Sequence, residues 1–186
     1  MKFIHPEILQ PGDIAVTTDA LPVSCVTRWK TWPRAPRADL GMSLGTHAFM
    51  VCDRGDSIYY ACEMRPRLRM TELQRYDHGR LSLMPHIVKV LRHPAFIDGG
   101  DAFALREKAN DFMIKMHSCG VKYGWEEIAK VAGFDVKDNP DRVICSVWCR
   151  KVVEHVGIVT PWPKEHIVTP ADLQAWTGVT DIDPYQ

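Results

Sequence analysis

An α+β fold, with a small antiparallel sheet packed against helices, follows from three features of this 186-residue sequence. β-rich runs cluster before residue 92, helical periodicities dominate after it, and the two do not alternate as a parallel sheet requires. With 46% hydrophobic and 25% charged residues, the chain suits one globular domain over residues 1–186. Two full domains would be cramped.

The elements follow in order. Gln10-Pro11 forms a turn before Gly12-Asp13-Ile14-Ala15-Val16-Thr17-Thr18, a short first strand. Val23 to Trp32 has room for one or two helical turns before the breaker-rich loop Pro33-Arg34-Ala35-Pro36-Arg37. Residues 46–53 and 57–64 are predicted strands joined through Arg54-Gly55-Asp56, a hairpin signal. Arg65-Pro66-Arg67-Leu68-Arg69 is a short basic run of the kind that forms a solvated loop or edge. Ile87-Val88-Lys89-Val90-Leu91 is a third strand candidate. From Gly100 the period changes: Phe103, Leu105, Ala109, Phe112, Met113 and Met116 mark an amphipathic helix to Ser118, ended by Gly120. A shorter helix is expected from Trp125 to Ala132, stopped by Gly133. Asn139-Pro140-Asp141 then introduces a helix over about 142–156, closed by Gly157. Thr169-Pro170-Ala171-Asp172 combines a hydroxyl cap, a first-position proline and a first-turn carboxylate, so a last helix starts there.

Several function classes are disfavoured. Lys plus Arg and Asp plus Glu both number 23, so the chain offers no electrostatic footprint for nucleic acid or an acidic membrane. The N-terminus lacks the apolar core of a signal peptide, and no run is long enough to span a bilayer. The expected location at synthesis is the cytoplasm, with export by another route left open. Six cysteines, at 25, 52, 62, 119, 145 and 149, include no Cys-x-x-Cys pair and are expected reduced. Cys145-x₃-Cys149-x₅-His155 is the nearest approach to a metal cluster and lacks zinc-ligand spacing. The sequence has no phosphate-cradling glycine loop, no Gly-x-Ser-x-Gly elbow and no calcium loop.

Two segments carry chemistry. Ile144-Cys145-Ser146 opens a helix, where backbone amides and the helix dipole favour a thiolate. The competing description is a buried inert cysteine, which fits Cys149, one turn further in. On that helix Ser146, Arg150, Lys151, Glu154 and His155 form a polar stripe, and apolar residues cover most of the rest. Thr46-His47-Ala48 starts a buried strand. If the turn is Arg54-Gly55-Asp56, Asp53 faces Ser57 and, counting back, His47 faces Glu63 on one sheet face. A carboxylate there fixes the imidazole tautomer and stabilises the imidazolium; alternatively His47 is a core histidine and Glu63 a solvated edge residue. The amides of Cys145 and Ser146 are candidate oxyanion donors. Tyr123 is either a cleft residue or packing.

Gly12-Asp13-Ile14, Thr46-His47-Ala48 with Val51, Ala61-Cys62-Glu63 and Ile144-Cys145-Ser146 together resemble the circularly permuted papain-like hydrolases, the YiiX-like branch of the NlpC superfamily, relatives of lecithin:retinol acyltransferase. In that branch the histidine strand precedes the cysteine helix, as here. The resemblance spans residues 11 to 156 through short motifs, and Met64 stands where family members usually have alanine. It implies a permuted papain-like fold with Cys145 as nucleophile, His47 as general base and Glu63 as orienting group. It further implies a peptidase or amidase acting on a peptide or amide substrate, with peptidoglycan-derived peptide or an amidated side chain as candidate kinds, and no metal or organic cofactor. A thioesterase or lipid acyltransferase on the same scaffold, or a non-catalytic binding protein, are the alternatives.

Overall fold

The structure, a computed structural model, describes residues 4–5, 8–17, 46–56, 58–65, 67–76, 86–97, 100–131 and 142–185. Six antiparallel strands form the main sheet: β1 (Ile14–Thr17), β2 (His47–Asp53), β3 (Tyr59–Met64), β4 (Leu68–Glu72), β5 (Ile87–Arg92) and β8 (Thr180–Ile182), in spatial order β4-β3-β2-β1-β5-β8. A two-stranded parallel ribbon pairs β6 (Lys122–Tyr123) with β7 (Arg142–Val143). The helices are α1 (Ala102–Ser118), α2 (Trp125–Val131), α3 (Cys145–His155) and α4 (Pro170–Gln174), with 3-10 turns at Leu73–Tyr76 and Pro94–Phe96. The α+β class and antiparallel sheet are as the sequence predicts.

The sheet is buried on both faces, which explains why β2 is apolar without alternation. On one face Ile14, Val16, Ala48, Met50, Cys62 and Met64 meet Trp148, Cys149, Val152 and Val153 of α3 and Ala109 and Met113 of α1. On the other, Ala15, Phe49, Val51 and Ala61 meet Leu9, Leu73, Tyr76 and Tyr185. The Gly12-Asp13 pair has a structural explanation. Asp13 is buried and bound bidentately by Arg92, with both Arg92 nitrogens at 2.7 Å. Gly12 turns with φ +96°, and a Cβ there would lie 3.2 Å from the Phe96 ring.

Several local expectations are corrected. Of the two readings of the basic run after Met64, the edge holds for its second half, where Leu68–Glu72 is the edge strand of the sheet, paired along β3. The hairpin register differs by two residues, with Asp53 opposite Tyr59 rather than Ser57. A two-residue shift preserves the face on which each side chain lies. The cysteine helix begins at Cys145, not 142, because Arg142–Val143 pairs as a strand with Lys122–Tyr123. The polar stripe on that helix is divided: Lys151, Glu154 and His155 are exposed, whereas Ser146 and Arg150 are buried. The Ser146 hydroxyl donates to the Val168 carbonyl at 2.6 Å, and Arg150 donates to the carbonyls of Trp162, Pro163 and His166. Phe103, assigned to the apolar side of α1, is 65% exposed; Ala109 and Met113 are fully buried, and Phe112 and Met116 pack partly against the core.

The Thr169 start holds as a full capping box, in which Thr169 Oγ1 accepts from the Asp172 amide and Asp172 Oδ2 accepts from the Thr169 amide. The candidate turns at Val23–Trp32, the Pro33–Arg37 loop, the Gly133 stop and the Asn139–Asp141 lead-in lie outside the described residues. Among the described residues no helix is long and apolar enough to cross a membrane.

Candidate active site

β2 carries His47 at its first position, and β1 holds it there: Thr17 is its cross-strand partner, and the Thr46 amide donates to the Thr17 carbonyl at 2.8 Å. On the same sheet face, β3 presents Glu63, which is fully buried. His47 Nε2 lies 3.0 Å from Glu63 Oε2. With the register moved by two, this contact is diagonal rather than directly across, and it survives because parity puts both side chains on one face.

Glu63 is the most heavily bonded side chain in the region. Its Oε2 also accepts from the Tyr76 hydroxyl at 2.6 Å and is ion-paired with Arg65 Nε at 2.7 Å. Its Oε1 accepts from the Thr71 hydroxyl at 2.7 Å and Arg69 Nε at 3.2 Å. Burial alone would push the carboxyl up, but the hydrogen bond and charge of His47, with Arg65 and Tyr76, hold it well below the usual carboxylate range. Glu63 is therefore ionised, and it fixes His47 with the Nε2 proton directed at the carboxylate. The second ring nitrogen is left for the sulfur.

Cys145 occupies the first helical position of α3, with Ile144 as the extended capping residue. Its thiol hydrogen-bonds His47 and accepts from the backbone amides of Ser146 and Ala48. The Ala48 amide is available because the β2–β3 ladder ends at Met50–Cys62, two residues short of it. Beyond that point sulfur from the α3 side and imidazole from the opposite side meet. Burial pushes the Cys145 thiol up, but the charge and hydrogen bond of His47 and the two amides reverse this, and the thiol lies below its ordinary value. For His47 burial favours the neutral ring, and the Cys145 thiolate and Glu63 outweigh it, raising the imidazole to about 9. Both shifts favour a thiolate–imidazolium pair. The buried thiols of Cys52, Cys62 and Cys149 are instead all pushed up by burial, so of these four buried thiols only the one at the helix start is acidified.

The structure thus brings Cys145, His47 and Glu63 together. It aims the Ser146 amide at the sulfur but engages the Ser146 hydroxyl elsewhere. Tyr123 is half-buried on β6, paired with Val143 and with its ring 4.9 Å from that of Trp125. Sequence reasoning missed the Ala48 amide, for which a strand gives no signal, and the cradle of Tyr76, Thr71, Arg65 and Arg69. Arg65 lies in the turn after β3 and Arg69 in β4, so their spacing in the run Arg65-x-Arg67-x-Arg69 gave no face signal. His155 stacks on Phe112 at 3.9 Å between ring centres, and among the described residues no three metal-ligating side chains converge. No protein-family model matches the chain, and no curated protein matches it.

Proposed function

We propose that the protein is a cysteine hydrolase of the permuted papain-like kind, acting by acyl transfer on an amide or peptide bond. One observation carries the reading: a hydrogen-bonded Cys145–His47–Glu63 chain whose sulfur sits at a helix start among backbone donors. An inert core cysteine has no use for an adjacent imidazolium held by a buried carboxylate with four further partners. The order of histidine strand before cysteine helix agrees with the permuted family. The Cys145 thiolate attacks the carbonyl carbon, and the oxygen that becomes anionic is met by amides at the sulfur, those of Ala48 and Ser146 being already directed there. The intermediate collapses as His47 gives its proton to the leaving nitrogen, forming a thioester. His47 then takes a proton from water, which attacks the thioester, releases the acid and restores the thiolate. The resemblance favours peptides, including peptidoglycan-derived ones, and the chemistry calls for no cofactor.

The test begins with the thiol. Iodoacetamide at pH 6–7 should alkylate Cys145 faster than Cys119, although Cys119 is exposed and Cys145 is 5% exposed. Labelling that simply follows exposure would remove the support. Turnover on a panel of peptides, amides and thioesters, with Cys145→Ala as control, then assigns the bond; preference for thioesters over every amide would favour the thioesterase alternative.

A further inference from the structure

We propose that Arg65 is a positioning residue that leaves His47 ready to release its proton once the Cys145 thiolate has been consumed, a role resting on the acyl-transfer reading above. The register supplies the first observation. Continuing the β2–β3 pairing past Met50–Cys62 brings position 65, not 63, across from His47. Arg65 Nε lies 2.7 Å from Glu63 Oε2 and 3.4 Å from His47 Nε2. The Arg65 Nε–H is directed at His47 Nε2, the same nitrogen whose proton the imidazolium gives to Glu63, so the contact favours the neutral ring. It is repulsive whenever the ring is charged.

The second observation is the charge count around the ring. His47 is faced by Cys145 from α3, by Glu63 from β3, by Arg65 just beyond β3 and, through Glu63, by Arg69 of β4 and Tyr76 of the 3-10 turn. Thr17, opposite on β1, is uncharged. Among the described residues Glu63 is the carboxylate that Arg65 and Arg69 share, and its roughly four lone-pair positions serve four hydrogen-bond donors beside the Arg65 ion pair. Glu63 orients the ring, but Arg65 and Arg69 compensate much of its charge. The thiolate is then the anion on which the imidazolium depends.

The consequence follows the reaction. In the resting pair the thiolate holds the proton on His47. When the sulfur becomes a thioester, that anion disappears while Arg65 remains, and the imidazolium becomes a strong acid at the step where the leaving nitrogen needs a proton. The neutral ring left behind accepts a proton from the attacking water, and release of the acid re-forms the thiolate that stabilises the imidazolium again. No proton is lost from the balance.

The experiment is an NMR titration of the His47 ring in the full chain carrying Cys145→Ala, alone and with Arg65→Gln, Arg65→Lys or Arg69→Gln. Without the thiolate, the His47 midpoint should fall from about 9 to below the ordinary 6.5. Arg65→Gln should then raise it by about one pH unit, the usual effect of one adjacent charge. Arg69→Gln, which removes a cation bound to the other carboxylate oxygen, should raise it by less than half as much. Arg65→Lys keeps the charge and should stay near the parent, which separates charge from loss of packing. A midpoint unmoved or lowered by Arg65→Gln, or moved equally by Arg69→Gln, overturns the assignment. The titrations use no substrate, so a chain without hydrolase activity would sink the preceding reading and leave this one measurable.

Discussion

Replacing Glu63 by Gln is the most demanding test of the site. The substitution keeps the volume and removes one charge from a position with no exposure, around which His47, Arg65, Arg69, Thr71 and Tyr76 converge. Arg69 is half-exposed and contributes little. Arg65 and His47 are largely enclosed, and removing the anion from such a pair costs about 3–5 kcal/mol. For a chain of this length that is a fall of about 6–20 °C in Tm. The pH dependence gives a second check. Glu63 is depressed in the folded state, so its contribution is fully present above the unfolded carboxylate value of about 4.3 and is lost as pH falls through the lower folded value. The gap between wild type and Glu63→Gln, measured by urea unfolding, should therefore be flat from pH 7 to about 5 and close only below about 4. A loss under about 1 kcal/mol at pH 7 would mean that the five partners are held by packing and not by the charge, and the account of His47 would fail with it.

Three further outcomes follow. Turnover should fall above about pH 9, where His47 loses its proton, whereas alkylation of Cys145 should not, because the thiolate persists; parallel decline of both would contradict the assigned roles. Asp13→Asn, which leaves Arg92 buried against a neutral amide, should cost about 3–5 kcal/mol in chemical denaturation, and a cost below 1 would show that the pair is not structural. Gly12→Ala meets both a positive φ and the Phe96 ring at 3.2 Å, so it should destabilise by about 1–3 kcal/mol, with little change seen if that turn can reset.

Legibility in the sequence followed how local each determinant was. The Thr169 cap and the glycine at the end of the cysteine helix depend on neighbours within one turn, and both appear where read. The strand pair around Gly55 was visible, but its register was not: tight pairing after a three-residue turn was assumed, and the ladder opens two residues wider. His47 and Glu63 were still assigned to one face, since face depends on parity alone. β4 was obscured by the basic run that leads into it, whose Arg65 and Arg69 look solvated until a buried carboxylate is placed beside them. The start of α3 was misplaced because Arg142–Val143 is captured by a strand 20 residues earlier in sequence, a long-range choice that local propensity does not encode.

The Arg150 strap ties the helix that carries Cys145 to the segment 162–166. That guanidinium, enclosed within the nucleophile's helix, is satisfied by Glu154 and by main-chain oxygens contributed from residues 162–166. Without those carbonyls the guanidinium would keep only Glu154, one turn along its own helix, so the seating of residues 162–166 and the seating of the helix that carries Cys145 are a single event.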